Sequence, residues 1–159
     1  MLAPVDWSHI HCVVEYGPGT GIFTHALLDR LPCHARLLAI DTSAAFIDHL
    51  REATPDGRLI AVSGSADHVR RIMAEHDLGQ ADCIISGLPF STLSPEKAVR
   101  LMDVSRRSLT PQGMFLAYQM RKAVAPLLSR NFATVETGFE WRNMPPCHLY
   151  WASSPLGFS

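Results

Sequence analysis

The segment Val13-Val14-Glu15-Tyr16-Gly17-Pro18-Gly19-Thr20-Gly21 constrains the fold more than any other stretch of the chain. An apolar run ends in a carboxylate, turns through three glycines at alternate positions, and enters the helical-looking Ile22-Phe23-Thr24-His25-Ala26-Leu27-Leu28. This reads as a strand, a tight loop and the start of a helix. Glycine reaches positive φ without steric cost and lets a ligand lie close to the backbone. A dinucleotide site needs G-x-G-x-x-G. Counted from Gly17, its third glycine falls on Ile22, so the spacing argues against a pyrophosphate site.

A second acidic residue supports a nucleoside-type pocket. Leu37-Leu38-Ala39-Ile40-Asp41 is a short apolar run ending in Asp, the pattern of a buried strand. Asp41 lies about 20 residues beyond the last loop glycine, the spacing at which a doubly wound fold places a ribose-binding carboxylate. A carboxylate accepts from both ribose hydroxyls. Asp41, Thr42 and Ser43 are also good helix N-cap residues, and the two roles are compatible at one strand-to-helix turn.

Along the chain, strands and helices alternate. Strands are expected at 11–16, 36–41, 58–63, 82–86 and 114–120, and helices at 20–31, 43–53, 66–76, 95–109 and 123–130. Thr54-Pro55-Asp56-Gly57 and Pro111-Gln112-Gly113 read as turns. Two late strands, near 134–141 and 147–152, have no helix between them and should pair antiparallel. The pattern implies a Rossmann-like, doubly wound α/β fold: a mostly parallel seven-stranded sheet with an antiparallel C-terminal strand and helices on both faces. Ligands bind such sheets beyond the carboxyl ends of the strands. The loops after Tyr16, Asp41, Ser63 and Ser86 should therefore open into one pocket.

Composition fits a single domain over residues 1–159, with 47% hydrophobic residues and a net charge of −1. That balance gives no general attraction to nucleic acid. No apolar run reaches the ~18 residues needed to span a bilayer, and no secretion signal is present at the start. Cys12, Cys33, Cys83 and Cys147 form no C-x-x-C pair, so neither zinc nor a disulfide framework is indicated. No pair of histidines shows metal-ligand spacing, and a reducing, cytoplasmic location is expected.

The Glu15–Gly21 loop resembles the Glu-x-Gly-x-Gly-x-Gly motif of class I S-adenosylmethionine-dependent methyltransferases. The Ser86-Gly87-Leu88-Pro89-Phe90 loop and the segment Trp141-Arg142-Asn143-Met144-Pro145-Pro146 resemble the corresponding parts of bacterial phospholipid N-methyltransferases. The likeness runs from about Val13 to Trp151. It implies S-adenosyl-L-methionine as cofactor, held by Glu15, Gly17, Gly19, Thr20, Gly21, Asp41, Thr42, Ser65, Ala66, Ser86 and Gly87. In related enzymes an Asp that accepts from the adenine amino group often stands where this chain has Ser65; Asp67 is nearby.

The resemblance also implies methyl transfer to the amine of phosphatidylethanolamine or a related lipid or small amine, with peripheral attachment at the inner membrane surface. Enzymes that methylate adenine N6 carry Asn-Pro-Pro-Tyr or Asn-Leu-Pro-Tyr at this loop. Here the Asn position is Gly87, which disfavours a nucleobase, while Phe90 keeps an aromatic face suited to a cationic head group. Tyr118, at the end of the fifth strand, is the expected base, and Arg142 a candidate for a lipid phosphate. Family members carry N-terminal lid helices, whereas only about ten residues precede the first strand here. Two other readings stay open: an RNA or protein amine methyltransferase, and a non-catalytic S-adenosylmethionine-binding module.

Overall fold

A computed structural model describes residues 1–141 and 145–155. Its centre is a seven-stranded sheet. The strands are β1 (Cys12–Tyr16), β2 (Arg36–Asp41), β3 (Leu59–Ser63), β4 (Ala81–Ser86), β5 (Leu109–Gln119), β6 (Phe132–Glu140) and β7 (Cys147–Pro155). They lie in the order β3-β2-β1-β4-β5-β7-β6. β1 to β5 are mutually parallel, and β7 runs antiparallel to both its neighbours. This is the expected architecture, with the last strand inserted between the two before it.

Among the described residues five α-helices flank the sheet: α1 (Ile22–Leu28), α2 (Ala44–Ala53), α3 (Val69–Glu75), α4 (Pro95–Ser108) and α5 (Ala125–Asn131). Val14, Leu38, Ile84 and Phe115 face α3, α4 and α5 through Ile72, Met102 and Leu128. Val13, Leu37, Ile85 and Leu116 face the other way, onto Leu27 and Leu28 of α1 and onto Leu2, Val5 and Ile10. Ile47 and Leu50 of α2 cover Ala39 and Ala61. Covered on both sides, β1 is buried along its whole length, which is why it reads as an unbroken apolar run. The N-terminal Leu2 and Val5 are thus core residues beneath β1.

Three boundaries depart from the sequence expectation. α1 begins at Ile22 and not at Thr20, because Gly21 is left-handed at φ +85° and cannot be part of the helix. The third helix opens with a 3-10 turn, Ala66–His68, capped by the Ser65 side chain. The Pro111–Gly113 turn lies within β5: between Ala81 and Cys83 of β4, the partner on β5 jumps from Leu109 to Met114. The extra residues bulge out of the ladder without ending the strand.

Candidate functional site

Sheet order reverses on either side of β1, and the loops leaving the carboxyl ends of the strands are tied together there. Gly17 N donates to Ile40 O, Gly64 N to Asp41 O and Gly87 N to Tyr16 O, all at 2.8–2.9 Å. Gly17, Gly19 and Gly21 have φ of +70°, +53° and +85°. Gly21 is doubly constrained, since a Cβ there would run into Leu50. Above Gly19 a Cβ would meet nothing, so that part of the loop is open.

Glu15 lies buried under this loop. Its Oε2 accepts a 2.6 Å hydrogen bond from the Thr24 hydroxyl of α1. Its Oε1 is buried and has no hydrogen-bond partner among the described residues. Burial pushes the carboxyl up to about 7, against the opposing pull of the Thr24 bond. An orphaned carboxylate oxygen at this depth is costly unless a donor arrives to meet it.

On one side of the loop is a cavity of about 260 Å³. Asp41, Thr42, Ser65, Ala66 and Asp67 form one wall; Leu88, Leu93, Lys97 and Leu101 form the other. Asp41 Oδ1 accepts from Ser43 N at 2.9 Å, while Ser43 itself caps α2 through a hydroxyl that accepts from Phe46 N. Asp41 therefore supports the turn and still faces the cavity. The Ser65 hydroxyl donates to Asp67 Oδ2 at 3.2 Å and accepts from Asp67 N, so both residues stand at the cavity wall as one unit. The α4 contributors, Lys97 and Leu101, were not legible as site residues; their only sequence signal is a helical face that includes Leu101.

On the other side a cavity of about 350 Å³ is lined by Gly87, Pro89, Ser91, Tyr118, Gln119, Met120, Arg121, Pro145 and Cys147. The Tyr118 ring stacks on Phe23 of α1, with centroids 4.5 Å apart and planes 18° from parallel. Its hydroxyl fills the space that a Cβ on Gly87 would need. Burial, and then the nearby Glu15 and Cys147, push this phenol up to about 12. Near neutrality it is a hydroxyl and not a phenolate.

Phe90 does not face the cavity as the sequence expectation has it. Its ring is only 3% exposed, belongs to the core on the α4 side, and does not line the cavity. The residue opens a short 3-10 turn that folds the ring inward. Ser86 is buried, and its hydroxyl accepts from Leu88 N at 3.3 Å, so it shapes the loop and lines neither cavity. Thr20 is exposed and also lines neither. Gln119, which sequence reasoning missed, is buried at the end of β5 and holds the 86–90 loop by two hydrogen bonds. Arg142 lies outside the described residues.

Residues 13–113 match a family described as a methyltransferase domain. Over 148 residues, 92% of this chain and 77% of the relative, the sequence is 30% identical to an ornithine lipid N-methyltransferase of Singulisphaera acidiphila. Among solved structures, the N-methyltransferase NodS from Bradyrhizobium japonicum WM9, in complex with S-adenosyl-L-homocysteine, aligns with a TM-score of 0.76 at 15% identity, covering 98% of this chain and 82% of NodS. The CurJ carbon methyltransferase aligns with a TM-score of 0.74 at 17% identity, covering 96% of this chain; this chain spans 50% of that one. At such identities the structural likeness speaks to the fold.

Proposed function

Since this chain belongs to the methyltransferase domain family and is an S-adenosylmethionine-dependent methyltransferase, we propose that its acceptor is the amine of a lipid head group. The observation that carries this reading is the acceptor-side cavity. Among the described residues it presents a hydroxyl, a cation and apolar walls, but no free aromatic platform: Phe90 is in the core and Tyr118 is already stacked on Phe23. A planar base has nothing there to stack on, whereas an aliphatic amine needs no such face. The 30% identical relative bears the name of a lipid N-methyltransferase, in line with this reading.

The residues fit the cofactor. The buried orphan oxygen of Glu15 awaits a cationic donor, the open backbone at Gly19 leaves room for a close approach, and Asp41 keeps acceptor capacity facing its cavity. Glu15, Gly17, Gly19, Thr20 and Gly21 are assigned to the amino-acid end, Asp41 and Thr42 to the ribose, and Ser65 and Ala66 to the adenine. Ser86 and Gly87 shape the loop beside the reactive centre. The cofactor supplies an electrophilic methyl on sulfur. The chain's part is to hold an amine in line and close, which supplies most of the acceleration in such a displacement.

The Tyr118 hydroxyl offers a lone pair to orient the amine, and water takes the proton. Arg121 lines the same cavity and forms no ion pair among the described residues, and no carboxylate stands among the lining residues. A fixed positive charge disfavours the ammonium form of a bound amine and so favours the nucleophile. It also suits an anionic group next to that amine. Met120 and Trp141, 66% and 78% exposed, lie near the carboxyl ends of β5 and β6 and support contact with a lipid surface. Among the described residues no helix is long and apolar enough to cross a membrane.

The test is transfer of radiolabelled methyl groups to vesicles containing phosphatidylethanolamine or ornithine lipid, run beside total RNA and a protein mixture. Label is expected in the lipid phase. Label in RNA or protein, or cofactor binding with no transfer to any pool, would reject the reading.

A further inference from the structure

The 86–90 loop is a wall shared by both cavities. Gly87 and Pro89 line the acceptor side, whereas Leu88, between them, lines the side of Asp41 and Ser65. Such a partition can transmit displacement from one ligand to the other if something fixes its position. One side chain does so. Gln119 of β5 is buried, accepts from Phe90 N at 3.2 Å through Oε1, and donates to Leu88 O at 2.7 Å through Nε2. These two bonds use both ends of one carboxamide, with a donor and an acceptor in fixed places. Buried groups so matched are sensitive to loss of either partner.

We propose that Gln119 is the positioning residue that sets the partition between cofactor and acceptor, and so couples the two binding events. This rests on the assignment of the two cavities given above. The argument is geometric. The partition is anchored at its start by Gly87 N to Tyr16 O, on the strand that carries the glycine loop. At its far end it is held by Phe90, whose ring is in the core and whose N–H donates to Gln119, and by Pro89 O, which accepts from the Thr92 N–H and hydroxyl. A carboxamide can hold Leu88 O and Phe90 N together; a carboxylate cannot, because it has no donor for a carbonyl. Released at Leu88, the loop can carry that side chain out of the cofactor wall and Pro89 out of the acceptor wall together.

The carboxylate argument supplies the test. Gln119→Glu keeps shape and volume, and only its protonated form restores the donor. Charged or titratable neighbours are Arg121 and Cys147 in the same cavity, Tyr118 before it, His148 opposite it on β7, and Glu15 beyond Tyr118. Each result is therefore taken as the ratio of variant to wild type at the same pH. The measured quantities are the dissociation constant of S-adenosylhomocysteine by calorimetry, with and without acceptor vesicles, and the split between kcat and KM.

At pH 8 Gln119→Glu should bind S-adenosylhomocysteine at least about tenfold more weakly than wild type. It should also lose the effect of acceptor on that binding, and both deficits should shrink as the pH is lowered toward 5. Gln119→Met should show the same deficits at every pH. A variant-to-wild-type ratio that stays flat across pH for Gln119→Glu, or wild-type coupling in Gln119→Met, overturns the proposal. If Gln119→Glu unfolds at neutral pH, it must refold and bind at pH 5; failure there also overturns it. Wild-type protein that binds no S-adenosylhomocysteine would instead sink the cofactor assignment itself.

Discussion

The hydroxyl of Tyr118 stands in the volume that a side chain at Gly87 would occupy. Tyr118 lies in β5 and Gly87 opens the loop that leaves the adjacent parallel strand β4, and each explains the other. Tyr118 is held in place by its stack on Phe23, so it cannot swing aside freely.

Gly87→Ala should therefore destabilise the protein by about 1–3 kcal/mol, the usual cost of forcing extra carbon into filled space. In a Tyr118→Ala background the same substitution should cost little. Denaturant titration of the four proteins gives the coupling energy directly. Additive losses would mean that the two residues do not compete for space. Tyr118→Phe, which removes only the hydroxyl, should lower kcat and leave cofactor binding intact.

Glu15 predicts a pH dependence of stability in the unliganded protein. Its folded-state value, about 7, lies above the ordinary 4.5. A raised carboxyl contributes stability that is fully present below the unfolded value and is lost as pH rises through the folded one. Its contribution should thus fall between about pH 4.5 and 7, by an amount on the order of 3 kcal/mol. Glu15→Gln should flatten this part of the curve and raise stability near neutrality, while weakening S-adenosylhomocysteine binding. Melting curves taken from pH 4 to 8 check the first part, and calorimetry the second.

Asp41→Ala should weaken S-adenosylhomocysteine binding more than tenfold, equivalent to about 1.4 kcal/mol. Asp41→Asn keeps an oxygen for Ser43 N and should spare stability while still losing affinity. Unchanged calorimetric affinity in both variants would remove Asp41 from the pocket.

His25 braces the end of the glycine loop. Its Nδ1 donates to Gly21 O at 2.7 Å, and its Nε2 meets the Thr54 hydroxyl, at the end of α2, at 3.0 Å. His25→Ala and Thr54→Val should each cost about 0.5–1.5 kcal/mol. The double variant should cost little more than His25→Ala alone, because the bridge is broken once. Fully additive losses in a thermal-melt cycle would show that the bridge does not act as a unit.

The parts of this molecule that were legible from sequence are those fixed by local chemistry. The bounds of β2, Arg36 and Asp41, are legible because an apolar run, an acid and a capping Ser43 follow one another within a few residues. The glycine loop was legible because its positive φ values leave few alternatives to glycine. What escaped depends on distant partners. The inward turn of Phe90 is set with Gln119, far along the chain. The Leu93, Lys97 and Leu101 wall exists only once α4 lies across the sheet. The Pro111–Gly113 stretch reads as a turn on its own, yet it is carried within β5 as a bulge against β4. The place of Tyr118 at the end of β5 is legible from sequence, but its chemical state follows from burial that no local pattern encodes.

The insertion of β7 between β5 and β6 has a consequence for biogenesis. Among the described residues, β6 pairs with β7 alone. While the chain emerges from the ribosome, β6 therefore has no hydrogen-bonding neighbour in this sheet until β7 clears the exit tunnel, and the flank of β5 that β7 will cover stays bare for the same interval. Completion of this sheet waits on β7, and that interval is when a nascent chain of this topology most needs chaperone shelter.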